Sequence, residues 1–582
     1  RETVNTLRLW SARASEQFLP DYRNHGDYAR ACDERSRSGR ITRLLIPDED
    51  IRRTTELRIK QQYFFVSASL QDIIRRYKVR NADMEKFPDK VVIHLNGSRG
   101  AIAIAELMRL LVDVEGMRWE KAWEITRAVF TYTSHAVAYE NLENWPVYML
   151  EQALPRHIQI IYEINLRHLN AIPVTNDTAL IRDLSIVEEG EVKRVRMAHL
   201  AVLGSSTVNG VSLAQSERLK TRIFGTLASY VPTKFVNTTN GVAYRRWLLV
   251  ANEPLAGLID EAIGDGWKKD SSELEKLSGF VDNENFLSRF EQVRSAAKRR
   301  LADRLAKTLQ VTMDHNALVD IQTTRIHPYK RQVLNVLGIL WRYHRICAGK
   351  DEDVNRVHLF AGRAAPSDHL AKQVLHLINV VAAVVNGDPR TQGKLRVIFV
   401  PNWSVSWGEC IMPAADVTEA IGAPNLEACG CSSLKACFNG GVVLGSKTGV
   451  NYEIADKVGN DNILLFGHDG AQVDALAGYA PGVILDENPE LKTVLNNLED
   501  QILPAQAGGD AIFPLVDSLR DSDPQLVLLD FGEYIIRQYE IDRLYRDRRR
   551  WLGMSLINIA HAGYFSSDRA VLNYEKDIWK IT

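Results

Sequence analysis

Val357-His358-Leu359-Phe360-Ala361-Gly362, an amphipathic run from about Ser367 to Asn386, and Leu395-Arg396-Val397-Ile398-Phe399-Val400 together decide the fold. The first string is short, apolar and closed by glycine, which predicts a strand. The middle run carries its apolar residues at helical spacing, and the third string predicts the next strand. Strand, helix, strand in this order implies a right-handed βαβ unit and a parallel sheet. Val442-Val443-Leu444 and Ile463-Leu464-Leu465-Phe466 predict two further strands. Ligands of such sheets bind outside the carboxyl ends of the strands, so the chemistry is sought there.

Upstream, the chain reads mainly helical. Helices are predicted over Leu57 to Tyr77, Ala101 to Val114 and Trp119 to Phe130, with one from Trp145 to Leu169 broken near Pro155. Val91-Val92-Ile93-His94-Leu95, closed by Asn96-Gly97, predicts a short strand. The segment Lys234 to Trp247, with a turn at Asn240-Gly241, is the expected boundary between the halves. No repeat or low-complexity segment interrupts either half.

The 582 residues carry 72 Lys plus Arg against 73 Asp plus Glu, and 45% are hydrophobic. These proportions exclude a disordered chain and leave no basic excess for general nucleic-acid binding. A length of this order predicts roughly two to four domains.

The cysteines are Cys32, Cys347, Cys410, Cys429, Cys431 and Cys437. Six in this length form no disulfide framework and suit a reducing compartment. The four between 410 and 437 lack the paired CxxC or close-His spacing of zinc sites, so no metal is expected and they read as buried thiols near a site. No signal peptide or membrane span is expected: no apolar h-region follows Arg1, and Val380 to Val385 is too short and lies within an amphipathic pattern. The chain opens with Arg, as a fragment or a processed form would.

Three constellations could carry chemistry. In Thr324-Arg325-Ile326-His327-Pro328-Tyr329-Lys330-Arg331-Gln332, Pro328 is expected to begin a helix with His327 near its cap. Arg325, Lys330 and Arg331 then crowd the positive end of that helix, which makes sense if an anion such as phosphate binds there; a solvated basic turn is the alternative. In Glu427-Ala428-Cys429-Gly430-Cys431-Ser432-Ser433-Leu434-Lys435, Ser432 or Ser433 is expected to cap a short helix. Lys435 in its first turn should have a lowered pKa, as a Schiff-base lysine needs; an exposed loop lysine is the commoner alternative. His135, in Tyr132-Thr133-Ser134-His135, is either a structural hydrogen-bonding residue or a catalyst.

The chain resembles the glycogen, starch and maltodextrin phosphorylases, the pyridoxal-phosphate-dependent α-glucan phosphorylases. The resemblance runs through Val4-Asn5-Thr6-Leu7-Arg8-Leu9-Trp10-Ser11-Ala12, Leu70-Gln71-Asp72-Ile73-Ile74-Arg75-Arg76, Leu154 to Asn165, Thr239-Asn240-Gly241 and Phe565-Ser566-Ser567-Asp568-Arg569. It implies an α/β chain of two Rossmann-like domains facing a cleft, the GT-B arrangement, without the family's opening portion. Residues 1–240 would be the remainder of the N-terminal glucan-binding domain. Residues 241–582 would be the cofactor-binding domain, with the last helix packing back on the first. The implied reaction is phosphorolysis of the terminal α-1,4 bond of a glucan to glucose 1-phosphate, with pyridoxal 5'-phosphate as cofactor. Lys435 would carry the cofactor, with Cys431, Ser432 and Trp403 around it. Lys330 would lie beside its phosphate and Arg325 on the substrate phosphate. Asn240, Tyr329, Glu427, Ala428, Gly430 and the carbonyl of His135 would hold the glucosyl unit. Glucan and inorganic phosphate are the implied partners, without nucleic acid or membrane. A cytoplasmic homodimer is expected, with Gly26 to Arg35 where the family has an interface helix.

The chain departs from the family at several site positions. Gly-Thr-Gly-Asn-Met-Lys in the family is Gly430-Cys431-Ser432-Ser433-Leu434-Lys435 here. Cys431 lacks a hydroxyl donor, worth ~1–2 kcal/mol. A left-handed Ser432 would add ~1 kcal/mol of strain. Thr324 replaces a lysine, and Trp403 and Ser404 replace a tyrosine and an arginine. Asn96-Gly97-Ser98-Arg99-Gly100 replaces Asn-Asp-Thr-His-Pro, and Asp48-Glu49-Asp50 replaces Asn-Asp-Asn. Three functions are therefore open: an active phosphorylase, a weakened or inactive homologue that binds glucan or a partner, and a glycosyltransferase that uses another donor without the cofactor.

Overall fold

The structure, a computed structural model, describes residues 5–13, 36, 38–43, 52–139, 142–173, 177–350, 354–476 and 478–581. The segments Gly26 to Arg35 and Asp48-Glu49-Asp50 lie outside the described residues. The chain forms two compact units: Arg1–Gly210 with Leu219–Val236, and Val211–Arg218 with Asn237–Thr582.

The first unit is built on a four-stranded sheet of order β1-β2-β3-β4, where β1 is Ile93–Asn96, β2 Phe130–Thr133, β3 Val208–Gly210 and β4 Phe235–Asn237. β1 pairs parallel with β2, and β2 with β3. Helices Arg52–Lys78, Ile102–Arg109, Trp119–Val129, Val147–Ala153 and Pro155–Asn170 accompany it. The expected helix over 101–114 stops being α-helical at Leu110, where a π turn takes over. Phe130, expected to end a helix, begins β2 instead, and Asn144–Pro146 is a strand of a small antiparallel sheet. Every residue of Phe130–Thr133 is buried, so no alternation of polar and apolar residues announces the strand. The break at Pro155 is found, with the proline opening the second helix.

The second unit holds a six-stranded parallel sheet. Its strands are β5 (Leu318–Thr323), β6 (Arg356–Ala361), β7 (Leu395–Val400), β8 (Val417–Ala420), β9 (Val442–Ser446) and β10 (Leu464–Phe466). The spatial order β7-β6-β5-β8-β9-β10 is that of a doubly wound dinucleotide-type sheet, which reverses direction between β5 and β8. Successive side chains alternate between its faces: Val357, Leu359, Ile398 and Val400 feed one core, Phe360, Leu395 and Val397 the other. Helix His369–Gly387 crosses between β6 and β7 with Val374, Leu377, Ile378, Val381 and Val385 buried. Contrary to the sequence expectation, this helix is long and apolar enough to cross a membrane by length and composition. Its buried face serves the core of the second unit.

Candidate functional site

The strand order reverses between β5 and β8, and sheets of this topology bind their ligands outside the carboxyl ends at such a point. Both cation-bearing motifs of this unit leave the sheet there, Thr324 to Arg331 from the end of β5 and Ile421 to Lys435 from the end of β8.

The two loops are tied together. Ala423 N donates to Tyr329 O at 2.7 Å, Arg331 Nε to Ile421 O at 2.7 Å, and Ser432 Oγ to Thr323 O at 2.5 Å. Gln332 Nε2 holds Arg325 O at 2.8 Å, and Gln322 Nε2 holds Lys330 O at 3.0 Å. Gly362, at the end of β6, admits the carbonyl of Thr324 so closely that a Cβ there would lie 2.0 Å from it.

The first motif differs from its expected form. Pro328–Lys330 is a single 3-10 turn capped by His327, whose Nδ1 accepts from Tyr329 N at 3.3 Å. The long helix starts only at Gln332, after Arg331 turns left-handed (φ 52°). The three cations therefore do not crowd one helix end. Arg331 is fully buried and paired with Asp530 at 2.6 Å. Lys330 pairs with Glu427, both side chains being nearly buried. Burial opposes the charged form of Lys330, but Glu427, with Tyr329 and Cys431, outweighs it and raises the pKa. Arg325 is exposed, and its side chain has no partner among the described residues. It is the cation left available for an anion. Beside it, burial lowers the pKa of His327, whose ring lies 3.4 Å from Asp368 and 4.7 Å from the Tyr329 ring between centroids.

The second motif forms the helix Cys431–Cys437. Its cap is Gly430 in the left-handed region (φ 99°, ψ 48°), not Ser432 or Ser433, and no side chain caps it. Ser433 Oγ instead donates to Gly430 O at 2.7 Å. The left-handed strain expected at Ser432 does not arise, because the turn falls on glycine. Lys435 lies beyond the first turn. Burial lowers its pKa, against the opposing influence of Cys431. Its Nζ stands 4.4 Å from the ring centroid of Trp247, and no carboxylate partners it among the described residues. Asn439 fixes the helix, its Nδ2 donating to Trp247 O at 2.8 Å and to Lys435 O at 3.0 Å.

The remaining expected residues of this unit stand around these loops. Asn240 Nδ2 reaches Cys431 Sγ at 3.9 Å, and Ala428 O accepts from Ser212 Oγ at 2.6 Å. Trp403 is half-buried and its carbonyl accepts from Arg363 Nη2 at 2.9 Å, while Ser404 caps helix Val405–Ala414. His135 belongs to the first unit. It follows β2, not a helix, and its Nε2 lies 2.6 Å from Asn96 Oδ1, next to the left-handed Gly97 (φ 96°). Arg99 is exposed in the turn that follows. Behind them His94 bridges Thr131 and Thr133 of β2 at 2.7 and 2.8 Å. Trp247 escapes sequence reasoning, since it lies in no motif and only the fold brings it under Lys435, while Gln332 ends the first motif without its clasp on Arg325 O being foreseen.

A half-buried, ring-faced lysine without a carboxylate partner fits a group that condenses with amines, and an unpaired arginine fits an anion. The carbohydrate phosphorylase family model matches residues 1–581. The glycogen phosphorylase of Pasteurella multocida (strain Pm70) is 44% identical over 587 residues, covering 100% of this chain and 71% of its own. That of Haemophilus influenzae is 43% identical, covering 99% and 71%, and the human muscle form is 42% identical, covering 99% and 70%. With matches of this extent, the chain belongs to the carbohydrate phosphorylase family, of GT-B-type α/β fold.

Proposed function

We propose that the chain is an α-glucan phosphorylase, which uses inorganic phosphate to cleave the terminal α-1,4-glucosidic bond of glycogen, starch or maltodextrin and releases glucose 1-phosphate. The observation that carries the proposal is the joining, at the reversal of the second sheet, of Arg325 and Lys435, neither with a carboxylate partner among the described residues, and the paired Lys330–Glu427.

In this reading a phosphate oxygen forms the new bond to the sugar's anomeric carbon as the bond to the departing glucan oxygen breaks, and that oxygen leaves with a proton. Arg325 binds and orients the incoming phosphate. Glu427, Tyr329, Asn240 and the backbone at Ala428 and Gly430 position the glucosyl hydroxyls. Lys435 would hold pyridoxal 5'-phosphate, and Lys330 would face its phosphate once parted from Glu427. When bound, that cofactor supplies a second phosphate able to exchange a proton with the first. Placing fixed cations where phosphate charge gathers lowers the barrier without reorganisation at the moment of reaction. A homodimer and a cytoplasmic compartment belong to the same proposal, the latter supported by unpaired thiols at Cys347, Cys410, Cys429, Cys431 and Cys437.

The test has two readouts. Borohydride reduction of the purified protein followed by peptide mass spectrometry should find a pyridoxyl adduct on Lys435, absent from K435A. Glycogen plus phosphate should yield glucose 1-phosphate with the parent protein and none with K435A. Absence of the adduct refutes the cofactor assignment, and an adduct without product refutes the activity.

A further inference from the structure

Cys429 and Cys431 are separated only by the left-handed Gly430, and their Sγ atoms lie 3.7 Å apart. This turn brings two side chains of one short loop to the same side. The other described thiols stand elsewhere: Cys347 is 3.7 Å from an Asp388 oxygen, Cys410 4.0 Å from Arg300 O, and Cys437 3.5 Å from Asn558 Oδ1. We propose that Cys429 and Cys431 are a modification site, a dithiol that a peroxide oxidises to a Cys-Gly-Cys disulfide, altering the loop that carries Lys435.

The two thiols are unequal, as a reacting pair requires. Cys431 is partly exposed and Cys429 is buried. The neighbouring Cys429 thiol and then Lys435 lower the Cys431 pKa to about 7, against burial and the Glu427 carboxylate, while Cys429 is pushed well above the usual thiol range. Cys431 is thus the nucleophile. Its thiolate attacks one oxygen of hydrogen peroxide, the O–O bond breaks, and hydroxide leaves to take up a proton as water. The Cys431 sulfenic acid is then attacked by the Cys429 sulfur; the S–S bond forms and a second water departs with the Cys429 proton. Two thiols are oxidised by two electrons and one peroxide is reduced to two waters.

The sulfurs must approach from 3.7 Å to the ~2.05 Å of a disulfide. Cys429 is buried and its carbonyl is held by Val450 N at 2.9 Å, so the movement falls on Cys431 and the start of the helix bearing Lys435. Cys431 thereby leaves its 3.9 Å contact with Asn240. A ring closed over one intervening residue is strained, and strained disulfides are readily reduced, so the modification is reversible.

The disulfide chemistry is testable without activity and stands apart from the phosphorylase reading, while its effect on Lys435 rests on the cofactor proposed there. The tryptic peptide 397–435 contains Cys410, Cys429 and Cys431. After brief treatment of the whole protein with a small excess of hydrogen peroxide, it should lose two hydrogens and take up iodoacetamide only at Cys410. Dithiothreitol should restore alkylation at all three. In C429S, Cys431 should be trapped as a dimedone adduct; in C431S, Cys429 should stay alkylatable only after unfolding. Trapping of pyridoxal phosphate on Lys435 with cyanoborohydride, which spares disulfides, should fall by at least tenfold in the oxidised protein and recover after dithiothreitol. Three alkylatable thiols after peroxide, or sulfinic acid at Cys431 without the two-hydrogen loss, would overturn the site. Unchanged trapping by the disulfide form would overturn its effect on the loop.

Discussion

Removing Arg331 should unfasten the candidate site from below. The residue is fully buried, pairs with Asp530 at 2.6 Å, and spans both loops by donating to Ile421 O at 2.7 Å and Leu526 O at 3.3 Å. Breaking a buried pair by deleting one partner costs about 3–5 kcal/mol, because the other charge stays desolvated. In R331M the stranded Asp530 keeps His468, whose Nδ1 lies at 2.8 Å and whose backbone N–H donates at 3.1 Å. The cost should therefore sit near the lower end, ~3 kcal/mol. In D530L the guanidinium keeps only carbonyl acceptors, and the cost should reach ~4–5 kcal/mol. The double variant R331M/D530L leaves no buried charge and should lie within ~1 kcal/mol of the parent. At roughly 2 °C per kcal/mol for a large domain, the single variants should melt about 6–10 °C lower and the double within ~2 °C. Far-UV circular dichroism during thermal and urea unfolding reads all four proteins. Additive losses in the double variant, or a loss below ~1 kcal/mol in R331M, would refute the claim that the pair is a desolvated lock.

Other consequences are equally direct. G362A should displace the Thr324 carbonyl that its Cβ would meet at 2.0 Å, costing ~1–3 kcal/mol of stability and weakening phosphate binding by calorimetry more than glucan binding, since Arg325 is the next residue. S404A removes the oxygen that caps helix Val405–Ala414 and should lower stability by ~1 kcal/mol in urea titrations, with the fold unchanged by circular dichroism. His94 is held near pKa 4 by burial and by His135. Its folded pKa lies below the unfolded ~6.5, so the unfolded chain binds the extra proton and stability falls as pH drops from 6.5 towards 4. H94Q should flatten that part of the stability profile of the first unit, and an unchanged slope would contradict the assignment.

The sequence announces β6, β7, β9 and β10 because their apolar runs are nearly unbroken. It conceals β5 and β8, Leu-Val-Asp-Ile-Gln-Thr and Val-Thr-Glu-Ala, because each places a carboxylate in a buried strand. One oxygen of each carboxylate is answered from afar. Arg356 pairs with Asp320 at 3.2 Å and with Asp542 at 2.9 Å, and Tyr534 Oη donates to Glu419 at 2.8 Å. No local pattern contains such partners, yet β5 and β8 flank the reversal that makes the site. The motif residues themselves are legible from composition and from resemblance. Their pairing is not: whether a cation lacks a carboxylate among the described residues, as Arg325 does, or is answered, as Lys330 and Arg331 are, depends on carboxylates about a hundred or more residues away along the chain.

The Lys330–Glu427 pair makes each of its members an occupant of the other's binding position. An anion seeking Lys330 competes with Glu427, and a sugar hydroxyl seeking Glu427 competes with Lys330. Whichever ligand arrives first bears the cost of separating them, and the second finds its partner already released. If phosphate and sugar bind as proposed, each should bind more tightly in the presence of the other, and by thermodynamic linkage the enhancement should be the same in both directions.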